Sequence, residues 1–187
     1  MVSLYKKGEK MKHTLITVSG QLGSGKSTVV NLLAQKLGWA TYSTGQAQRQ
    51  IAEKMGISTI ELNRLAVSDK TIDEQIDAVF KNPPWGDNPC VVDSRLAFHF
   101  LPKSFKVCLK VSPNEAAKRV FFANRSNEKY KSIDEALQYL NQRRKLEQEH
   151  FLKNYQLDIE SDNLFDLIID TSNLSPEQIC QIIIEKL

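Results

Sequence analysis

Gly20-Gln21-Leu22-Gly23-Ser24-Gly25-Lys26-Ser27 is a complete G-x-x-x-x-G-K-S sequence, and it decides how the rest of the chain is read. An apolar strand-like run, Leu15-Ile16-Thr17-Val18, leads into it, and an amphipathic helical stretch, Lys26–Leu37, leads out. At ordinary glycine usage a chance match in a chain this long falls under about 1%. The residue types follow from the chemistry of holding phosphate. Glycines let successive backbone N–H groups turn toward phosphate oxygens, and the following helix adds the positive end of its dipole. Lys26 is expected to reach the β- and γ-phosphates, and the Ser27 hydroxyl to hold Mg²⁺, with Thr28 closing the nucleotide-binding set. A dinucleotide fingerprint fits poorly: the glycines fall as G-x-x-G-x-G, and Lys26-Ser27 supply groups such a site does not need.

From this loop outward, apolar runs alternate with helix-period segments, the pattern of an α/β protein with a parallel sheet. Strands are expected at Leu15–Ser19, Ala40–Ser43, Cys90–Asp93, Phe105–Val111 and Leu167–Asp170. Helices are expected at Lys26–Leu37, Gln46–Lys54, Thr59–Val67, Ile72–Phe80, Asn114–Asn124, Ile133–Tyr155 and Pro176–Leu187. Several carry their own start signals. Ser58 with Glu61, Ser112 with Glu115 and Ser132 with Glu135 have capping-box spacing, and Ser175-Pro176 places a proline at the first helical position. The expected fold class is α/β: the P-loop NTPase fold, with a five-stranded parallel sheet flanked by helices.

The 187 residues suit one domain, with Met1 to His13 as a loose basic extension. A hydrophobic share of 41% and a charged share of 25% mark a globular protein and argue against disorder. The net charge of +3 is mild, and the basic residues are interspersed with acids, unlike the dense basic face of a nucleic-acid binder. No run approaches the ~20 apolar residues that span a bilayer, and the N-terminal lysines precede no secretory apolar stretch. Cys90, Cys108 and Cys180 are odd in number and without CxxC spacing, so they read as reduced thiols in a cytoplasmic protein. The expected partners are small-molecule nucleotides, with no nucleic acid and no membrane, for a protein acting as a monomer.

Further motifs follow in a telling order. They are Ser43-Thr44-Gly45-Gln46-Ala47-Gln48-Arg49, Ile72-Asp73-Glu74-Gln75-Ile76-Asp77, Val92-Asp93-Ser94-Arg95-Leu96-Ala97, and a C-terminal third running from Asn154-Tyr155 through Ile169-Asp170-Thr171 to Ser175-Pro176. With the loop, they make the chain resemble the nucleoside monophosphate kinases, and most of all the short archaeal-type cytidylate kinases, from about Leu15 to the C-terminus. The resemblance implies ATP and Mg²⁺ as cofactors and transfer of a phosphoryl group from ATP to CMP or dCMP. It also implies a substrate-binding insertion at about 44–81 and an arginine-bearing lid at about 119–150.

Phosphoryl transfer between phosphates demands charge neutralisation and positioning more than a base, so the arginines matter most. By resemblance, Arg49 and Arg95 clamp the acceptor's phosphate, and Arg119, Arg125 and Arg143 are the lid arginines, with Arg144 able to share the last role. Ser43 either contacts the acceptor or caps the next helix. Asp73 and Asp77, spaced i, i+4, share one helix face and are expected to reach the base or the insertion. Asp93 is the acid expected near the Mg²⁺ that Ser27 holds, and Asp170 reads as a turn former. Three departures from the family pattern stand out: Ala78-Val79-Phe80 where relatives often continue with arginines, Ser94 where many have glycine, and His150 where they tend to be basic. Two other classes stay open. A shikimate-type alcohol kinase would want an acid at the end of the second strand, where this chain has Ser43-Thr44. A non-catalytic nucleotide switch would not need the set Lys26, Arg49, Arg95, Arg119 and Arg143.

Overall fold

The computed structural model describes residues 13–57, 61–62, 65–66, 70–123 and 130–187. Its strands are β1 (Leu15–Gly20), β2 (Ala40–Ser43), β3 (Cys90–Asp93), β4 (Phe105–Lys110) and β5 (Leu167–Asp170). They form one parallel sheet in the order β2-β3-β1-β4-β5. The helices are α1 (Lys26–Leu37), α2 (Thr44–Lys54), α3 (Lys70–Asp77), α4 (Ala97–Phe100), α5 (Pro113–Phe122), α6 (Ile133–Tyr155) and α7 (Pro176–Ile184). The inner strands β1, β3 and β4 are largely buried and read as short apolar runs, as a parallel sheet covered on both faces requires, whereas the edge strand β2, Ala40-Thr41-Tyr42-Ser43, is exposed or half-buried.

The helix starts are set by serines. Ser43, Ser112, Ser132 and Ser175 each accept a hydrogen bond from a backbone N–H three residues on, capping α2, α5, α6 and α7. The reciprocal capping box forms fully at Ser175 with Gln178. At α6 the Glu135 carboxylate accepts from the N–H of Lys131 instead. The helix expected over Ile72–Phe80 leaves α-geometry at Asp77 and continues as a 3₁₀ turn, Ala78–Phe80, which buries Phe80 against Trp85, Cys90 and Val92. The short helix α4 and a 3₁₀ turn at Asp162–Leu164 were not expected, being too brief for periodicity to register. The helix expected over Thr59–Val67 falls partly outside the described residues, as do the Ser58 capping signal and Asn124–Lys129 with Arg125.

The main core lies between β1, β4, α1 and α7, where Ile16, Val18, Leu33, Val107, Leu109 and Ile183 are fully buried. α5 and α6 pack together through Ala116, Ala117, Val120, Ala136 and Leu140. Ala52, Leu62, Ala66, Ile72 and Ile76 form a cluster of their own on the β2 side. All three cysteines are buried and free, and burial pushes each thiol up to about 11, which makes them inert.

Register places the motifs. Val18 and Ser43 both pair with Asp93, so the ends of β1, β2 and β3 meet at one edge of the sheet. β1 runs between β3 and β4, a switch in strand order, and such switch points open the crevice where α/β proteins bind ligands. The turn out of β1 works only with glycine: a Cβ on Gly20, whose φ is 135°, would sit 2.2 Å from the carbonyl oxygen of Leu109. We expect Gly20→Ala to lower unfolding stability by at least about 3 kcal/mol in urea titrations, since main chain is the obstacle. A loss under about 1 kcal/mol would mean the loop can shift away from β4.

Candidate active site

The loop after β1 closes onto β4 and onto its own lysine. Gln21 N donates to Leu109 O at 3.0 Å, and the Gln21 side chain accepts from Val111 N at 2.9 Å. Lys26 Nζ donates to Gly20 O at 2.7 Å and to Gln21 O at 3.1 Å, so the ammonium group is folded back inside the loop. Gly23 (φ 78°) has no room for a side chain, because a Cβ there would lie 2.8 Å from Ala116 of α5. Behind the loop, Thr171 at the end of β5 is fully buried, with Oγ1 3.2 Å from Ser24 O.

These residues fit a triphosphate and its metal. Among the described residues, α1 has no side-chain cap, so its first-turn N–H groups face the loop unclaimed. The buried Ser24 Oγ has no hydrogen-bond partner among them either. Ser27 Oγ donates to Asp93 Oδ2 at 2.7 Å, with Asp93 8% exposed at the end of β3. A serine hydroxyl beside a strand-end carboxylate is the oxygen pair that holds the Mg²⁺ of a bound nucleotide. The metal would draw charge from the phosphate oxygens; Lys26 would leave the loop carbonyls for the phosphates.

The predicted residues sort into three groups. Ser27, Ser43, Arg49 and Asp93 line one cleft together with Asn31, Tyr42 and Gln46. Of its two expected roles, Ser43 performs the capping of α2 through its hydroxyl, and the residue also lines this cleft. Arg95 lines a second cleft on the other side of the loop, with Gly20, Gln21, Leu22, Arg144 and Glu147. Its guanidinium is ion-paired with Glu147, which also accepts from Arg143 Nε at 3.2 Å. Arg144 is paired with Glu160, with Nε 2.9 Å from Oε1, and lines the same cleft.

The third group stands away from both clefts. Arg119 donates to Glu115, to Thr171 Oγ1 and, at 2.7 Å, to Thr171 O, tying α5 to the end of β5. Asp73 and Asp77 do share a face, but it meets the C-terminal end of α6. Asp73 pairs with His150 Nε2 at 3.0 Å and accepts from Asn154, while Tyr155 OH donates to Asp77 at 2.7 Å. Burial raises the Asp77 carboxyl despite that hydrogen bond, and burial together with Asp77 raises the Tyr155 phenol. Asp170 forms the expected turn, accepting from Ser172 N and Oγ, and those bonds lower its carboxyl. Sequence reasoning missed Glu147, whose one signal was its i, i+4 spacing from Arg143. It also missed Asn31, which no motif marks, and Gln46, which lies within the Ser43–Arg49 motif without a role of its own.

Comparison with known proteins agrees with this geometry. The model of a family described as "AAA domain" matches residues 16–150. The cytidylate kinase of Pyrobaculum neutrophilum is 37% identical over 86% of this chain and 85% of its own length. That of Sulfolobus acidocaldarius is 35% identical over 90% and 91%. An S-adenosylmethionine-dependent nucleotide dehydratase of Lacinutrix mariniflava is 37% identical over 92% of this chain, which spans only 35% of that protein. Among solved structures, a shikimate kinase from Bacteroides thetaiotaomicron superposes with a TM-score of 0.62 at 17% identity, covering 92% of this chain and 97% of that one. That likeness shows the fold, a P-loop kinase sheet with its flanking helices. At the level of sequence the chain belongs to the cytidylate kinase family of P-loop kinases: a phosphotransferase with a phosphate group as acceptor and with ATP and Mg²⁺ as cofactors.

Burial and the neighbouring Arg95 lower the Lys26 ammonium to about 7, against the opposing pull of Asp93 and Glu147. Above that value the free enzyme's lysine is largely neutral, and the charge of a triphosphate restores its proton. ATP affinity should therefore fall as pH rises from 7.5 to 9, by up to about tenfold per unit, with proton uptake on binding. Calorimetry in two buffers of different ionisation enthalpy reads that uptake; a pH-independent affinity without it would contradict the assignment. Lys26→Ala should cost about 2–4 kcal/mol of transition-state stabilisation, seen as a fall in kcat.

Proposed function

We propose that this enzyme transfers the γ-phosphoryl group of Mg-ATP to CMP, and to dCMP, releasing ADP and CDP or dCDP. The observation that carries the reading is the cleft beside Ser27, where the end of β2 and the first turns of α2 bring Ser43 and Arg49 to face Asp93. An acceptor that is already an ionised phosphate needs arginines and no base, and the two clefts flanking the loop supply Arg49 on one side and Arg95 on the other. Lys26 and Arg143 stabilise charge on the migrating group, and Ser27 with Asp93 holds the metal. Arg119 and Arg125 complete the lid, Arg119 on release from Thr171 and Ser172. The small cluster around Ala52, Ile72 and Ile76 is read as the core of the substrate-binding insertion at about 44–81. The base preference draws on relatives named cytidylate kinase at 30–37% identity. Monomeric action in the cytoplasm completes the proposal, and among the described residues no helix is long and apolar enough to cross a membrane.

A shikimate-type acceptor is less well supported, since β2 ends in Ser43-Thr44 and the fold neighbours of that kind share only 17–18% identity. A second reading concerns the product's fate. The match to about a third of a nucleotide dehydratase supports a kinase that hands its nucleotide on to a dehydrating enzyme.

An ADP-release assay against CMP, dCMP, UMP, AMP, GMP and shikimate tests the assignment. The expected result is a kcat/KM for CMP and dCMP at least about tenfold above the purine nucleotides and shikimate. Measurable ATP binding without turnover of any monophosphate would overturn it. Arg49→Ala should raise the acceptor's KM by about 10–100-fold, the loss of a charge-assisted hydrogen bond to phosphate, with ATP affinity nearly unchanged.

A further inference from the structure

Glu147 lies one turn beyond Arg143 in α6, and two guanidinium groups share its carboxylate. Oε1 accepts from Arg143 Nε at 3.2 Å, and Oε2 is ion-paired with Arg95 NH1 across the cleft. The side chains of Glu147 and Arg95 are only 20% and 21% exposed. Arg95 is presented from a fixed stem. Ser19 Oγ donates to its carbonyl oxygen at 3.1 Å, and Ser94 Oγ accepts from the N–H groups of Leu96 and Ala97 at 3.3 and 3.2 Å. The adjacent Arg144 is committed to Glu160.

Two arginines from separate elements thus converge on one anion at the edge of the phosphate-binding loop. Forked guanidiniums from two sides are the donors that a phosphate takes, and a carboxylate offers them fewer oxygens and less charge. The local balance points the same way. Burial and Arg143 both push the Arg95 guanidinium below its usual value, and Glu147 is the largest influence opposing them. Without an anion here, Arg95 and Arg143 would repel one another at side chains that are only partly exposed to solvent.

We propose that Glu147 stands in for phosphate, holding Arg95 in position for the acceptor's phosphate and Arg143 for the migrating group, and yielding them when the phosphates arrive. The inference rests on the kinase reading for the acceptor's identity only. Glu147 is a positioning residue: it touches neither ATP nor the reacting atoms. Because it competes with the ligand for the same donors, its charge lowers phosphate affinity while keeping the free site assembled. It also places α6 against the loop after β3 before substrate binds, so the lid helix gains its new partner without a search.

The test compares Glu147→Gln with Glu149→Gln, which deletes the same charge two residues on, at a carboxylate 61% exposed. Inorganic phosphate binding is measured first, by calorimetry on the free enzyme, because it depends on no base. Glu147→Gln should bind phosphate about tenfold tighter, the scale of one charge-assisted hydrogen bond no longer contested, and Glu149→Gln should stay within about twofold of the native protein. With CMP as acceptor, KM should fall by a similar factor while kcat does not rise. An unchanged phosphate affinity in Glu147→Gln, or a raised acceptor KM, overturns the proposal, the latter by making Glu147 a direct substrate contact. Glu147→Asp, which keeps the charge but is too short to bridge both arginines, serves if the glutamine variant does not fold, and should show the same tightening in smaller measure. If the native enzyme does not turn over CMP, the base assignment fails, and the phosphate measurement still decides the role of Glu147.

Discussion

The passage of the Gly20 main chain against Leu109 is the constraint on which the site depends. At that point β1 turns out of the sheet so close to β4 that a side chain would overlap a carbonyl oxygen. The loop that follows is pinned to β4 through Gln21, wedged against α5 at Gly23 and supported from β5 by Thr171. Its backbone N–H groups are therefore held in place before any ligand binds, which is what electrostatic catalysis of phosphoryl transfer requires. The open N-terminus of α1 is part of the same arrangement. The capped helices around it satisfy their own donors with serine hydroxyls, and this one leaves its donors for phosphate.

Charge around the loop is arranged with an excess of cations. Lys26, Arg95 and Arg143 gather near two carboxylates, Asp93 and Glu147, and each cation is perturbed or paired as a result. Burial lowers both Lys26 and Arg95 because a charged group gives up water on entering the fold. The two carboxylates hold different ground. Asp93 is hydrogen-bonded to Ser27 at the start of α1, and Glu147 is ion-paired with Arg95 from α6. The free site thus carries more cations than carboxylates can balance, an arrangement that favours a polyanionic ligand.

The order of the motifs made the fold legible. β1, the glycine loop and α1 were readable because a strand, a constrained turn and an amphipathic helix each leave a local signature, and the boundaries of β3 and β5 followed from short apolar runs. The helix over Ile72–Phe80 was only partly legible, because the tightening at Asp77 is driven by burying Phe80 under Trp85, a contact distant from the helix pattern itself. Ser27, Asp93, Ser43 and Arg49 all stood in recognisable motifs; strand register pairs Ser43 with Asp93, and α1 and α2 bring Ser27 and Arg49 to the same cleft. Asp73 and Asp77 were read correctly as sharing a face, but what that face meets, His150, Asn154 and Tyr155, depends on how α6 crosses the molecule.

Sequence by itself marked a phosphate-binding loop, with the glycines, lysine and serine that such a loop needs, and arginines enough to manage its charge. The physical reason is that this loop is one continuous segment, and its conformation follows from residues adjacent in the chain. Tertiary structure alone decided the partners of those arginines. Arg95 faces Glu147, 52 positions on, Arg119 faces Thr171 as many positions on, and Arg144 faces Glu160. Such pairings depend on where helices land on the sheet, and helix placement is set by packing of apolar faces that carries no mark of which charges it will bring together.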